Sequence, residues 1–75
     1  MRVIVIHLEH GTWKSAYPFD AEKTDTVLHL KNCIRTKISQ DTSQMRLFYG
    51  TKLDDTRTLG EYQIGNLSYI WLVVA

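Results

Sequence analysis

The chain has 75 residues, 44% of them apolar and 11% aromatic, with nine basic and eight acidic side chains giving a net charge of +1. That length is one small domain, and the apolar share is too high for a disordered segment. Charge is dispersed without a Lys/Arg cluster, which gives no nucleic-acid or membrane-surface footprint, and no apolar run is long enough to span a bilayer. The single cysteine, Cys33, cannot form an internal disulfide, so the fold does not depend on oxidation and a reducing compartment, cytosol or nucleus, is expected. The chain is expected to be a monomer.

The Val/Ile-rich residues 1–8 predict a strand, and Glu9-His10-Gly11 a turn. Trp13, Ser15, Tyr17 and Phe19 recur with period two, which predicts a second strand over Thr12 to Asp20, paired with the first as a hairpin. Pro18 has no amide hydrogen for a ladder and places that strand at a sheet edge. The polar stretch from Ala21 to Thr26 is a linker, in which Asp25 or Thr26 can cap the next element.

Val27, Leu30, Ile34 and Ile38 form one apolar stripe of a helix, with His29, Asn32 and Thr36 on the opposite face. After a polar loop from Ser39 to Gln44, Met45 to Tyr49 predicts a third strand ended by Gly50. Leu53 starts a very short strand, and Asp54-Asp55-Thr56 makes a turn. Thr58-Leu59-Gly60-Glu61 matches a capping box and predicts one helical turn reaching Tyr62. Gly65-Asn66 is a further turn. The last strand, Ser68 to Ala75, is apolar on both faces over Tyr69 to Val74, as a central strand is. One helix among several strands gives a two-layer α+β domain.

The residues that could carry chemistry read better as structure. His29 and Cys33 are four apart on the helix and can meet. A thiol nucleophile also needs a cleft and an orienting group, so Cys33 is read as a semi-buried filler. His7 and His10 at the turn lack the further ligands of a zinc site and are read as solvated. Asp54, Asp55 and Glu61 belong to a turn and a cap. Neither a catalytic residue nor a cofactor is expected.

The run Arg46-Leu47-Phe48-Tyr49-Gly50, followed by Leu53-Asp54-Asp55-Thr56-Arg57-Thr58-Leu59-Gly60-Glu61-Tyr62-Gln63-Ile64, resembles the ubiquitin family. Met1, Val3, Val5 and Leu8, and Asp25-Thr26-Val27 with Leu30 and Ile34, match its opening strand and helix. The resemblance spans the whole chain, 1–75, as one ubiquitin-like domain, and implies the β-grasp fold. That fold is a mixed sheet with its first and last strands parallel at the centre and the helix across one face. The expected core is Val3, Val5, Val27, Leu30, Ile34, Leu47, Leu59, Ile70 and Leu72.

The chain departs from the family in a longer stretch between hairpin and helix, a shortening beside Gly50, and Asp41-Thr42 where the family has paired prolines. The family's modifiers close on Gly-Gly, whereas the sequence given stops at Ala75 and as such is not expected to be loaded as a thioester. The resemblance implies a non-catalytic module that binds ubiquitin receptors, proteasome subunits, ubiquitin-pathway enzymes or a neighbouring domain. A modifier whose tail lies outside this sequence is the alternative. Leu8, Phe48 and Val73 fall on the family's apolar recognition patch, Trp71 stands where ubiquitin has histidine, and Arg46 supplies a positive rim. Phe48 and Val73 are expected to be cross-strand neighbours, with Trp71 two residues along the same face.

Overall fold

The computed structural model describes residues 1–74. It contains strands β1 (Arg2–Glu9), β2 (Thr12–Asp20), β3 (Met45–Phe48) and β4 (Ser68–Val74), helix α1 (Val27–Ile38), and short 3-10 turns at Thr42–Gln44 and Gly60–Tyr62. Ala75, expected to end the last strand, lies outside the described residues.

β1 and β2 form the expected hairpin. Its turn is His10-Gly11, with φ of 53° and 78°. Two successive left-handed residues match the twist of the flanking strands, and Gly11 adopts that conformation without steric cost. His7 pairs with Ser15 but Leu8 pairs with Trp13, so Lys14 is the extra residue of a β-bulge. The bulge corrects the period-two reading of β2: Ser15, Tyr17 and Phe19 share one face, and Trp13 is carried round to lie opposite Leu8.

α1 starts where the side-chain oxygen of Thr26 accepts the amide of His29 at 3.1 Å. Asp25, the other expected cap, instead accepts the amide of Glu22 at 2.9 Å. The free amides of the first helical turn are satisfied from the return segment, Val27 N donating to Arg57 O and Leu28 N to Asp55 O. The helix ends at Ser39, in left-handed conformation, whose amide donates to Arg35 O. Val27, Leu30 and Ile34 are buried, and Ile38 packs half-buried against the same core. Lys31 is buried too.

The sheet order is β2-β1-β4-β3, with β1 and β4 parallel at the centre and the other neighbours antiparallel. A parallel pair needs a long crossover, and α1 lies in it, packed across one face. This is the expected α+β β-grasp arrangement. All nine expected core residues are buried, joined by Ala21, Met45, Leu53 and Ile64. β2 is an edge strand, as Pro18 requires.

The remaining differences lie in the connections. β3 stops at Phe48, because Gly50 at φ 75° turns the chain and Tyr49 N donates to Thr51 O. The short strand expected at Leu53 is a single bridge between Phe48 and Lys52, after which Leu53 N donates to Leu47 O. The turn expected at Gly65-Asn66 falls one residue later: Leu67 takes the left-handed conformation, at φ 65°, and its amide donates to Arg2 O. The capping box is formed, with Thr58 N donating to the Glu61 carboxylate at 2.7 Å and Glu61 N to Thr58 Oγ1 at 3.3 Å. No helix among the described residues is long and apolar enough to cross a membrane.

Two measurements follow. Leu30 is 2% exposed, so Leu30→Ala is expected to cost ~2–5 kcal/mol in denaturant unfolding. The Asp54 carboxylate accepts the backbone amide and hydroxyl of Thr56, which holds its pKa below the ordinary value. A depressed carboxylate contributes stability above its unfolded pKa and loses it as pH falls through the folded one. Melting temperature should therefore drop on acidification below about pH 4, and less so in Asp54→Ala.

Candidate functional site

Alternation along the strands sends Val3, Val5, Ile70, Leu72, Met45 and Leu47 toward the helix. Their neighbours project from the other face, which α1 cannot reach. Strand register sorts these side chains into transverse rows. Ala16, Ile6, Trp71 and Phe48 form the middle row; Trp13, Leu8, Val73 and Arg46 form the row toward the hairpin turn. Pro18, Ile4 and Tyr69 form a third row on the far side.

The five residues expected to form a patch, Leu8, Arg46, Phe48, Trp71 and Val73, thus come to one face, within two adjacent rows. Their expected pairing is corrected. Phe48 stands directly opposite Trp71, and Val73 opposite Arg46, so Phe48 and Val73 are diagonal neighbours. The cause is the core on the far side of the sheet: Leu47 packs opposite Leu72, and that pair fixes the register of everything behind it. Leu8 closes the row beside Val73 as expected.

Ile4, Ile6, Tyr69 and Trp13 were not foreseen on this face. For the first three a signal existed, since β1 and β4 are apolar at consecutive positions and must fill both faces. For Trp13 there was none, because the bulge inverts its apparent side. Trp13, Tyr69 and Trp71 are well exposed, Leu8, Phe48 and Val73 half-buried, and Ile6 buried. Charge is confined to the margins. Arg46 is exposed on the edge strand β3. Arg2 and Asp20 approach to 3.6 Å at the far end of the hairpin strands. Lys14 donates to Glu9 at 2.7 Å beside the turn, which lowers the Glu9 pKa and raises that of Lys14.

The other chemical candidates lie off this face. His29 Nε2 is 3.9 Å from Cys33 Sγ and 4.0 Å from Asp25 Oδ2. Thiol and carboxylate approach the same ring nitrogen, so the carboxylate does not orient the imidazole from its opposite side as a nucleophile-activating relay requires. Cys33 is half-buried, as a filler is. His7, expected to be solvated, is buried at 5% exposure with neither ring nitrogen hydrogen-bonded. β1 runs on to Glu9, so His7 lies within the strand and on its core side, opposite Leu72. His10 is exposed in the turn. Among the described residues no three His, Cys, Asp or Glu side chains are grouped to hold a metal ion.

An ion pair with one buried partner was not legible in the sequence. Lys31 Nζ lies 2.6 Å from Asp55 Oδ1, with the lysine side chain 7% exposed. It ties the first turns of α1 to the return segment that also supplies the Arg57 and Asp55 carbonyls. Lys31 is one position beyond Leu30 in the apolar stripe, and nothing local distinguishes it from a solvated lysine.

A family model, described as the ubiquitin family, matches residues 5–75.

Neutralising Asp55 leaves the buried Lys31 ammonium without its counter-charge, while Asp55 itself, with a side chain 46% exposed, stays open to water. Asp55→Asn is expected to lower unfolding free energy by ~1–3 kcal/mol. Adding Lys31→Met should recover most of that loss, and a double-mutant cycle in urea reads both.

Proposed function

Because the chain belongs to the ubiquitin family, we propose that it is a non-catalytic protein-interaction domain and that the helix-free sheet face is its partner site. The observation that carries this reading is the composition of that face: its middle row, Ala16, Ile6, Trp71 and Phe48, is wholly apolar, and its polar groups are marginal. A contiguous open apolar surface rimmed by charge is how small soluble domains present a contact site. The residue types fit as well, since tryptophan and arginine dominate binding hot spots. Leu8, Phe48, Trp71 and Val73 are the anchors, and Arg46 sets orientation from the edge.

By analogy with the family, the proposed partners are ubiquitin receptors, proteasome subunits, ubiquitin-pathway enzymes, or a neighbouring domain of the same protein. The free cysteine fits a reducing compartment, cytosol or nucleus. Trp71 and Phe48 are bulkier than a ubiquitin-like patch needs, which selects partners with a deep apolar pocket and only partly overlapping those of ubiquitin itself.

The test is titration of Phe48→Ala and Trp71→Ala against a panel of ubiquitin-receptor and proteasome-subunit domains. Each variant should lose about 2 kcal/mol of binding, roughly 30-fold in affinity. Melting temperatures should stay near that of the wild type, since both side chains lie outside the covered core. Wild-type affinity in both variants would refute the assignment of this face.

A further inference from the structure

We infer that the helix-free face also associates with a second copy of itself, as an isologous dimer in which the two sheets pack face to face. This occupant is argued from size and charge complementarity between the rows. It rests on the reading of that face as a contact surface.

A two-fold axis lying between two such sheets, parallel to their strands, reverses the order across each row. Each residue then meets its opposite number from the other end of the same row. In the middle row, Phe48 falls over Ala16 of the second copy, and Trp71 over its Ile6. In the next row, Arg46 falls over Trp13 of the second copy and Val73 over its Leu8. In the third, Tyr69 falls over Ile4. Apart from Arg46 over Trp13, large side chains meet small or aliphatic ones, as sheets that interdigitate require. The one charge within these rows, the Arg46 guanidinium, meets the face of an exposed indole, the preferred partner for a cation–π contact. An axis across the strands gives a poorer match. It sets Trp71 on Trp71 and Phe48 on Phe48, large on large, and gives Arg46 no aromatic partner.

The area sets the strength. With fully exposed aromatics offering ~150–250 Å² each, exposures of 65% at Trp13, 59% at Tyr69 and 45% at Trp71 leave on the order of 300 Å² of aromatic surface open. With the aliphatic rows added, two copies would cover roughly 1,000 Å², below the size of a stable dimer and within the range of weak, reversible contacts. A contact of this size class is weak and reversible, a monomer when dilute and a dimer at protein concentrations on the order of 0.1–1 mM. Edge-to-edge pairing through β2 is disfavoured, because that strand carries both Pro18 and the bulge.

Sedimentation equilibrium of the intact chain over this concentration range tests the inference. The average mass should rise from one chain toward two. Ala16→Glu, at an exposed position outside the five-residue patch, should weaken self-association at least ~tenfold. Ala16→Phe should weaken it as well, and adding Phe48→Ala should restore it by exchanging the large and small partners. Circular dichroism melts confirm that each variant is folded. Wild type that stays monomeric throughout overturns the inference, as does a dimer indifferent to Ala16→Glu or a size exchange that restores nothing. Partner titrations with the Ala16→Phe/Phe48→Ala double variant keep the two readings apart, because the exchange rebuilds the contact between copies but not the Phe48 anchor. Restored self-association with partner binding still lost supports the dimer. Self-association that responds to the Ala16 variants while no partner of the panel binds supports the dimer and refutes the partner reading.

Discussion

A four-stranded sheet has two faces, and the described residues form one α-helix with which to cover them. The two central strands, β1 and β4, are apolar at consecutive positions, so covering one face leaves the other apolar and open. Val3, Val5, Ile70 and Leu72 lose essentially all contact with water beneath α1, while their sequence neighbours Ile4, Tyr69 and Trp71 keep some. The hydrophobic effect drives the first group and is left unsatisfied by the second. An antiparallel sheet of ordinary composition resolves this by alternating polar residues on its wet side. Here that solution is largely absent, and the open side is shaped for contact.

What holds the helix on its chosen face is partly polar. The first amides of α1 are bound by carbonyls of the return segment, and Lys31 reaches the Asp55 carboxylate. Leu59 N and Gly60 N donate back to Asp25 O and Lys23 O, so the segments before and after the sheet's third strand are laced together at the helix N-terminus. Backbone is packed closely there: a Cβ on Gly60 would lie 3.1 Å from Lys23 O. With α1 anchored, Leu47 and Leu72 meet in the core, and their pairing determines which residues face each other on the opposite surface. The arrangement of the candidate site is thus inherited from the core behind it.

Much of this was legible because it is local or periodic. The stripe Val27-Leu30-Ile34-Ile38, the Thr58–Glu61 capping box and the edge position of β2 each follow from a few neighbouring residues. Alternation puts Arg46 and Phe48 on one face of their strand and Trp71 and Val73 on one face of theirs, whereas Leu8 was placed beside them through the family resemblance. Their pairing was not legible, since register between β3 and β4 depends on residues far apart in sequence. Trp13 was misplaced because a bulge is a single unpaired residue with no compositional signature in Thr12-Trp13-Lys14-Ser15. The burial of His7 and Lys31 was missed for a common reason: both are polar side chains at positions whose surroundings are assembled only when the chain closes. Lys31 found a carboxylate there, whereas the imidazole of His7 has no hydrogen-bond partner among the described residues.

The sequestration of Lys31 makes the chain's own amines an internal clock for opening. Lys14, Lys23, Lys37 and Lys52 present their side chains to solvent, and an acylating reagent will meet them in the folded state. The Lys31 amine is withdrawn from such reagents for as long as α1 stays docked on the return segment. Mass-spectrometric labelling of the intact protein should therefore show a fast group of acylated lysines and one laggard, and the laggard's rate measures how often the helix lifts away.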